Sequence, residues 1–305
     1  MSTFKEIRGQ LIKKYTTDPA NPLEGQVWYN ATTGKLKAAP LVAAWASGGA
    51  LPVAKRQVGG FGIQTSAVCV CGQNPPTLDT AEEYNGATWT AITANPEGRI
   101  KPFATGIETA GLVGGGEGPG SGVTADEWNG SAWGTPTSIP MTMYDSTAFG
   151  PETAAVVVRA DSPTTGVLLY DGSAWTTGTS TPIQMKSASA AGLPTAAIVF
   201  GTSVPEGNTA TVEYASGTWT AGGALNTGRD RGAAGLNGTL TSTVYFGGND
   251  PPSTEFTATE TYDGTSWTTS PASLATARRG LAGAGTGTLA LAFGGYTGSD
   301  TTATE

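Results

Sequence analysis

The 305-residue chain has no histidine, only two cysteines and few charged side chains. The absence of histidine excludes histidine metal sites, histidine general bases and Ser-His-Asp triads. Charged residues make up 13% of the chain, against a usual share of about a quarter. No run of 18 apolar residues occurs, so the sequence predicts no membrane insertion, and its first residues lack the apolar core of a secretory signal.

Positive charge is concentrated near the start of the chain. Residues 1–56 hold 8 of the 16 Lys and Arg residues against 3 acidic ones, a balance of +5, whereas the remainder has 8 against 21, a balance of −13. Nucleic-acid binding needs clustered cations that neutralise phosphates, so the acidic body argues against a nucleic-acid partner. The basic segment is either a docking arm or a solvated tail.

The sequence does contain an internal repeat. Tryptophan recurs at intervals of 42 to 48 residues, at Trp45, Trp89, Trp133, Trp175, Trp219 and Trp267. Five residues before the last five of these stands another aromatic residue: Tyr84, Trp128, Tyr170, Tyr214 and Tyr262. An Asn-Gly, Asp-Gly or Ala-Ser-Gly sequence follows this upstream aromatic, which predicts a hairpin with a type I′ turn.

Each repeat continues in the same order after its tryptophan. A basic residue follows by 10 or 11 positions, at Arg56, Arg99, Lys186, Arg229 and Arg278, with Tyr144 in the third repeat. Two short apolar strands come next, and the second ends at a glycine pair or its remnant. Four short antiparallel strands in about 44 residues are the size of one propeller blade. The fold predicted is therefore all-β, a six-bladed β-propeller preceded by an N-terminal arm and hairpin.

The order glycine pair, tyrosine, tryptophan and arginine resembles the kelch repeat. The stretch "VYFGGNDPPSTEFTATETYDGTSWTTSPASLATARRG" shows the likeness best, and the match covers residues 41–305. WD repeats have a similar period, but their Gly-His dipeptide is absent. The resemblance implies that the eleven repeated tryptophans and upstream aromatics pack between blades, where each buries about 150–250 Å².

The repeat predicts two regions, an arm and hairpin over residues 1–38 and a propeller over residues 39–305. The last repeat lacks its aromatic hairpin, so we expect N-terminal and C-terminal strands to close the ring together. Leu41 to Trp45 is one predicted closing strand, and Val27 to Asn30 or Lys35 to Lys37 is another. Donation of the strand by a neighbouring subunit is the alternative.

The sequence offers little support for an enzymatic function. Copper oxidases with kelch blades need histidine ligands, which this chain lacks. Cys69 and Cys71 are predicted on one face of a strand, as a C-x-C metal pair or as small buried residues. Six acidic residues recur just before the hairpins, where repetition favours a structural role over a glycosidase site: Glu82, Glu83, Asp126, Glu127, Glu213 and Glu260. No catalytic residue, metal site or cofactor is predicted.

The segment "DPANPLEGQVWYNATTGKLK", followed by degenerate kelch blades, resembles tail or fibre-type virion proteins of marine and cyanobacterial phages. The resemblance implies a non-enzymatic structural protein in the virion, made in the host cytoplasm. Its partners would be other virion proteins and further copies of the chain. Loops of the propeller would be displayed for adhesion to a host surface glycan or protein.

The N-terminal region would dock to the particle, and the residues expected to do so are Lys5, Arg8, Lys13, Lys14, Trp28 and Tyr29. Three alternatives stay open. The chain could decorate a capsid or neck without a receptor role, it could be a carbohydrate-active or oxidase-type enzyme, or it could be an intracellular adaptor.

Overall fold

The computed structural model describes residues 12–17, 19, 27–38, 44–118, 121–160, 165–205, 207–250 and 254–305. The chain divides into two compact units, residues 1–44 (unit 1) and residues 45–305 (unit 2). The sequence placed this boundary after residue 38, six residues earlier. In the described residues no helix is long and apolar enough to cross a membrane.

Unit 1 contains a small sheet of β1 (Lys13–Tyr15), β2 (Val27–Asn30) and β3 (Lys35–Ala38). β2 and β3 form the expected antiparallel hairpin, and β1 lies parallel to β2. The Asn30 side-chain oxygen accepts hydrogen bonds from the backbone N–H groups of Thr32 and Thr33, which fixes the turn. β2 and β3, the two strands that the sequence offered for closing the propeller, are both paired within this sheet.

Unit 2 is built from successive antiparallel sheets whose strands follow the chain from one edge to the other. Sheet 1 contains β4 (Gly59–Ile63), β5 (Ser66–Val70), β6 (Ala81–Tyr84) and β7 (Trp89–Ile92). Sheet 2 contains β8 (Phe103–Ile107), β9 (Ala110–Gly114), β10 (Thr124–Trp128) and β11 (Thr137–Ser138). Sheet 3 contains β12 (Thr147–Phe149), β13 (Ala155–Val158), β14 (Val167–Tyr170) and β15 (Trp175–Thr177).

The same order continues through the rest of unit 2. Sheet 4 contains β16 (Ser189–Leu193), β17 (Ala196–Phe200), β18 (Thr211–Ala215) and β19 (Thr218–Ala221). Sheet 5 contains β20 (Ala233–Ala234), β21 (Thr243–Phe246), β24 (Thr259–Tyr262) and β25 (Trp267–Thr269). A separate ribbon joins β22 (Asn249–Asp250) to β23 (Thr254–Glu255). Two short 3₁₀ turns lie at Ser121–Val123 and Glu152–Ala154.

Sheet 6 is centred on β26 (Ala282–Gly285) and β27 (Ala290–Phe293). On one side of β27, Thr304 forms an antiparallel bridge with Phe293. The Gly48 N–H in turn donates a hydrogen bond to the Thr304 carbonyl at 2.8 Å. Sheet 6 is therefore extended by residues from both ends of unit 2. The sequence placed the N-terminal contribution at Leu41–Trp45, whereas the pairing observed involves Gly48, and residues 39–43 lie outside the described part of the chain.

Apolar clusters occupy the spaces between successive sheets. In the described residues, five of them join sheets 1 to 2, 2 to 3, 3 to 4, 4 to 5 and 5 to 6. A further cluster joins sheet 6 to sheet 1, where the rings of Phe293 and Trp89 lie 4.9 Å apart. The same edge contact joins Trp267 to Phe200 at 4.7 Å. Unit 2 thus has an all-β, propeller-like fold.

The aromatic hairpins have longer loops than predicted. Tyr84 pairs directly with Trp89, so four residues form the loop, and the Asn85 side chain accepts hydrogen bonds from two backbone N–H groups within it. The expected two-residue type I′ turn is wrong at the Asn-Gly and Asp-Gly sites. The fourth repeat has it instead, with positive φ angles of 47° at Ser216 and 95° at Gly217.

The eleven repeated aromatics lie where the sheets meet, and they differ in burial. The five upstream residues are all buried: Tyr84, Trp128, Tyr170, Tyr214 and Tyr262. Trp89 and Trp267 are buried as well, whereas Trp45, Trp133, Trp175 and Trp219 are half-buried. Within each of the five hairpins the two rings lie 4.6 to 5.1 Å apart.

Candidate functional site

Four repeats carry a buried ion pair at equivalent positions. In each pair a cation ten or eleven residues after the tryptophan meets a carboxylate on the third strand of the sheet or its counterpart. The pairs are Lys55–Glu82, Arg99–Asp126, Arg229–Glu260 and Arg278–Glu305. All four cations are fully buried. Arg56 and Lys186, which the sequence placed in this series, lie one position beyond it.

The third and fourth repeats replace the ion pair with apolar side chains. Met143 and Met185 occupy the position of the cation, and both are fully buried. Leu168 and Val212 occupy the position of the carboxylate and belong to the same apolar clusters as Met143 and Met185, respectively. Both members of the pair are therefore apolar in these two repeats.

The repeated carboxylates are engaged in structural contacts. Arg99 donates to the Gly115 carbonyl at 3.0 Å as well as to Asp126, which ties the loop to the sheet. Burial raises the pKa of Asp126, and the nearby guanidinium opposes this shift. Glu127 accepts a hydrogen bond from the Tyr170 hydroxyl of the next sheet. Glu213 accepts the equivalent bond from the Tyr262 hydroxyl.

A ring of left-handed residues, which the sequence analysis did not predict, surrounds one end of the innermost strands. One residue per repeat, 12 or 13 positions after the tryptophan, has a φ between 52° and 60°. The ring consists of Gln57, Lys101, Asp145, Ser187, Arg231 and Gly280. All six residues line one cavity of about 110 Å³. The constant spacing from the tryptophan is the signal that could have identified them.

Backbone hydrogen bonds run around this ring. The Lys101 N–H donates to the Gln57 carbonyl at 2.9 Å, and the Gln57 N–H donates to the Gly280 carbonyl at 2.6 Å. Gly280 in turn donates to Arg231 at 2.8 Å, and Arg231 donates to Ser187 at 3.1 Å. In four of the six ring residues the left-handed backbone thus directs the N–H group towards the carbonyl of the preceding repeat.

The opposite end of the innermost strands is bridged by a side chain. The Asn237 amide donates to the Gly62 carbonyl at 2.8 Å and to the Gly106 carbonyl at 3.4 Å. Between the two ends, small residues of all six innermost strands line a narrow cavity of about 100 Å³. This interior leaves little room for a ligand.

Beside the ring lies a polar cavity of about 260 Å³ that brings three arginines together. It is lined by Arg56, Gln57, Gln73, Arg231, Arg279, Gly280 and Tyr296. The guanidinium groups of Arg56 and Arg279 lie 4.8 and 5.1 Å from the centre of the Tyr296 ring. Arg56 pairs with Asp300 at 2.6 Å, and Arg279 pairs with Glu255 at 3.1 Å. We call this site the arginine cavity.

The two cysteines do not share a face. Cys69 packs in the cluster between sheets 6 and 1, whereas Cys71 packs between sheets 1 and 2. The expected alternation fails because Cys71 has a φ of 59°, which turns its side chain to the other side. Burial raises the pKa of each thiol to about 12. The C-x-C metal pair is therefore wrong, and in the described residues no three Cys, Asp or Glu side chains are grouped as a metal site.

The residues expected to dock the chain differ in exposure. Lys13 and Lys14 are exposed on β1, and Tyr29 is 38% exposed on β2. Trp28 is buried, because side chains alternate along β2, so it is not on the surface of unit 1. Lys5 and Arg8 lie outside the described residues.

Comparison with known proteins supports the fold alone. No protein-family model matches the chain, and no curated protein is similar to it. Among solved structures, one described as "Structure of YjhT" superposes with a TM-score of 0.68 at 15% sequence identity. The match covers 84% of this chain and 95% of that chain.

Proposed function

We propose that residues 45–305 form a closed, six-bladed, kelch-like propeller that serves as a non-enzymatic binding module. The contact between sheets 6 and 1 supports closure, because it repeats the contacts between other sheets. The Gly295 N–H donates to the Lys55 carbonyl at 2.9 Å, as Gly72 donates to Arg99 at 2.8 Å. The ring of Trp45 lies 4.7 Å from that of Phe246, in the same edge contact that Trp89 makes with Phe293 and Trp267 makes with Phe200.

The use of the carboxylates supports a binding role over catalysis. A glycosidase needs two carboxyl groups that flank its substrate. Glu82, Asp126 and Glu260 are instead paired with buried cations, and Glu127 and Glu213 hold tyrosine hydroxyls. This structural engagement of the repeated acidic residues is the observation that carries the proposal.

The rim that carries the left-handed ring and the arginine cavity is the surface proposed for adhesion. The loops that lead into the innermost strands supply Arg56, Lys101, Lys186, Arg231 and Arg279. Loops tolerate variation while the sheets hold them in place, which suits recognition of a host surface glycan or protein.

The proposed location is a phage virion, as a tail- or fibre-associated structural component present in several copies. The resemblance of the N-terminal segment to virion proteins supports this location, and unit 1 offers Lys13, Lys14 and Tyr29 on its surface. We propose that these three residues contribute to docking on other virion proteins.

Mass spectrometry of purified particles tests the location, which requires the chain as a stoichiometric component. Charge reversal with Lys13→Glu and Lys14→Glu should lower incorporation, whereas Lys186→Glu, an exposed cation of unit 2, should not. Absence of the wild-type chain from particles would refute the virion proposal. Equal incorporation of all variants would refute docking through β1.

A further inference from the structure

The arginine cavity brings three cations together in an acidic unit. Residues 45–305 contain 10 Lys and Arg residues against 21 Asp and Glu residues, and four of the ten cations are used in the buried pairs. Three of the remaining six line this one cavity. Guanidinium groups recognise carboxylates through two parallel hydrogen bonds, so their convergence here points to an anionic ligand.

Two of the three arginines are already held in place. Asp300 and Glu255 neutralise Arg56 and Arg279, and both guanidinium groups lie close to the Tyr296 ring. Cation–π contacts of this kind restrict the positions of both side chains. Each of these two arginines already has a carboxylate partner at 2.6 or 3.1 Å, so a ligand that binds the third breaks no short ion pair.

Arg231 is the third arginine, and it pairs with Asp230 only at long range, without a hydrogen bond. Its Nε atom lies 3.7 Å from Oδ2 of Asp230, which is too long for a hydrogen bond, and has no hydrogen-bond partner among the described residues. Neither carboxylate oxygen of Asp230 has one there either, although Asp230 is only 1% exposed. Arg231 itself is half-exposed and lines the cavity.

We propose that the arginine cavity binds one carboxylate group of a small ligand, with Arg231 as its main partner. The amides of Gln57 and Gln73, whose nearest atoms lie 2.7 Å apart, offer hydrogen bonds to neutral polar groups beside the carboxylate. A single carboxylate matches Arg231, the one guanidinium of the cavity whose ion pair is long and has no hydrogen bond. The excess of acidic residues in unit 2 disfavours nucleic acids and other polyanions.

This inference rests on the proposed function, because it names a ligand class for the rim proposed for adhesion. Its test uses the purified protein, so a failure to bind carboxylates is distinguishable from absence of the chain from virions. Calorimetric titration of the full chain at constant ionic strength tests it with sodium D-glucuronate, sodium acetate and D-glucose. Both carboxylates should bind at one shared site, and D-glucose should not bind. Tighter binding of glucuronate than of acetate would place the carboxylate on a polar, hydroxylated ligand.

Substitutions then locate the site. Arg231→Gln should weaken glucuronate binding about tenfold or more, the usual effect of losing a charge-assisted hydrogen bond. Lys35→Gln removes an exposed cation that does not line the cavity and should leave affinity unchanged. Arg231→Lys keeps the charge without the planar fork and should give an intermediate affinity.

Three results would overturn the proposal: no saturable binding of either carboxylate in the millimolar range, equal binding of D-glucose, or unchanged affinity in Arg231→Gln. Thermal unfolding of each variant checks that it is folded. If Arg231→Gln is unfolded, Arg231→Lys decides the matter, since wild-type affinity in that variant would contradict recognition by the guanidinium fork.

Discussion

Nη2 of Arg99 lies 2.6 Å from Oδ2 of Asp126, and both side chains are fully buried. One repeat further along the chain, Met143 and Leu168 occupy the same two positions and pack together in an apolar cluster. The same two positions of the repeat thus hold a buried ion pair in one sheet and an apolar pair in the next. A buried ion pair must offset the cost of removing two charges from water, whereas an apolar pair has no such cost.

Replacing one buried ion pair by its apolar counterpart should be tolerated only when both members change. Lys55→Met alone leaves Glu82 buried without its cation and should cost about 3–5 kcal/mol in the free energy of unfolding. The double variant Lys55→Met, Glu82→Leu should be within about 1 kcal/mol of wild type or more stable. Urea titration measures all three proteins. A double variant as unstable as the single one would contradict equivalence with the Met143–Leu168 pair.

Burial of the tryptophans should rank their contributions to stability. Trp267 is 4% exposed and contacts Phe200, so Trp267→Ala should cost about 3–5 kcal/mol. Trp219 is half-buried, and its ring lies farther from its phenylalanine, at 6.4 Å from Phe149. Trp219→Ala should therefore cost less. Equal losses in denaturant titration would show that packing between sheets does not set the energy of these residues.

The left-handed ring stores conformational strain that glycine should relieve. Lys101 has a φ of 54°, a region that costs a residue with a Cβ about 1–2 kcal/mol, whereas Gly280 occupies the same ring position without this cost. Glycine loses more backbone entropy on folding than alanine, which offsets part of this gain. The free energy of unfolding of Lys101→Gly should therefore exceed that of Lys101→Ala by about 0.5–1 kcal/mol. Both variants lose the ion pair to Glu117, so their comparison isolates the backbone. A more stable alanine variant would contradict the strain.

Stability should depend on pH through Asp230. Burial raises the pKa of this carboxyl to about 6, and Asp145 adds to the shift while Arg231 and Arg279 oppose it. The folded state thus binds the proton more tightly than the unfolded chain, so stability falls as pH rises from about 4 through about 6. Asp230→Asn mimics the protonated form. The variant should match wild type near pH 4 and exceed its stability at pH 7.5.

Urea titrations of wild type and Asp230→Asn across this pH range provide the measurement. A stability difference that stays constant from pH 4 to pH 7.5 would show that Asp230 does not titrate in this range. A difference that shrinks as pH rises would contradict the sign of the shift.

The periodic tryptophans were enough to predict the sheets, because each repeat must bury the same aromatic pair against its neighbours. The buried cations were partly misplaced. In the first repeat two cations are adjacent in sequence, and Lys55 is buried while Arg56 lines the arginine cavity. In the fourth repeat Met185 fills the position, which a search for basic residues passes over. Lys55 and Met185 each lie ten residues after the tryptophan of their repeat, so this spacing would have identified both of these buried positions.

Two other features depend on three-dimensional geometry, which the spacing of residues in the sequence does not reveal. Arg56, Arg231 and Arg279 come from three different repeats and meet only when sheets 5, 6 and 1 are neighbours. The side chain of Cys71 changes face because of one left-handed residue at the end of a strand, where a pattern of alternation predicts the opposite. Neither feature can be deduced from one repeat at a time.

A crystal structure of the full chain is the most direct test of the central claim, a six-bladed ring closed within one molecule. The account predicts six sheets around one axis, with the Gly48 N–H bonded to the Thr304 carbonyl and Trp45 against Phe246 of the same chain. Another number of sheets, or pairing of residues 48–51 with residues 302–304 of a second copy, would contradict it.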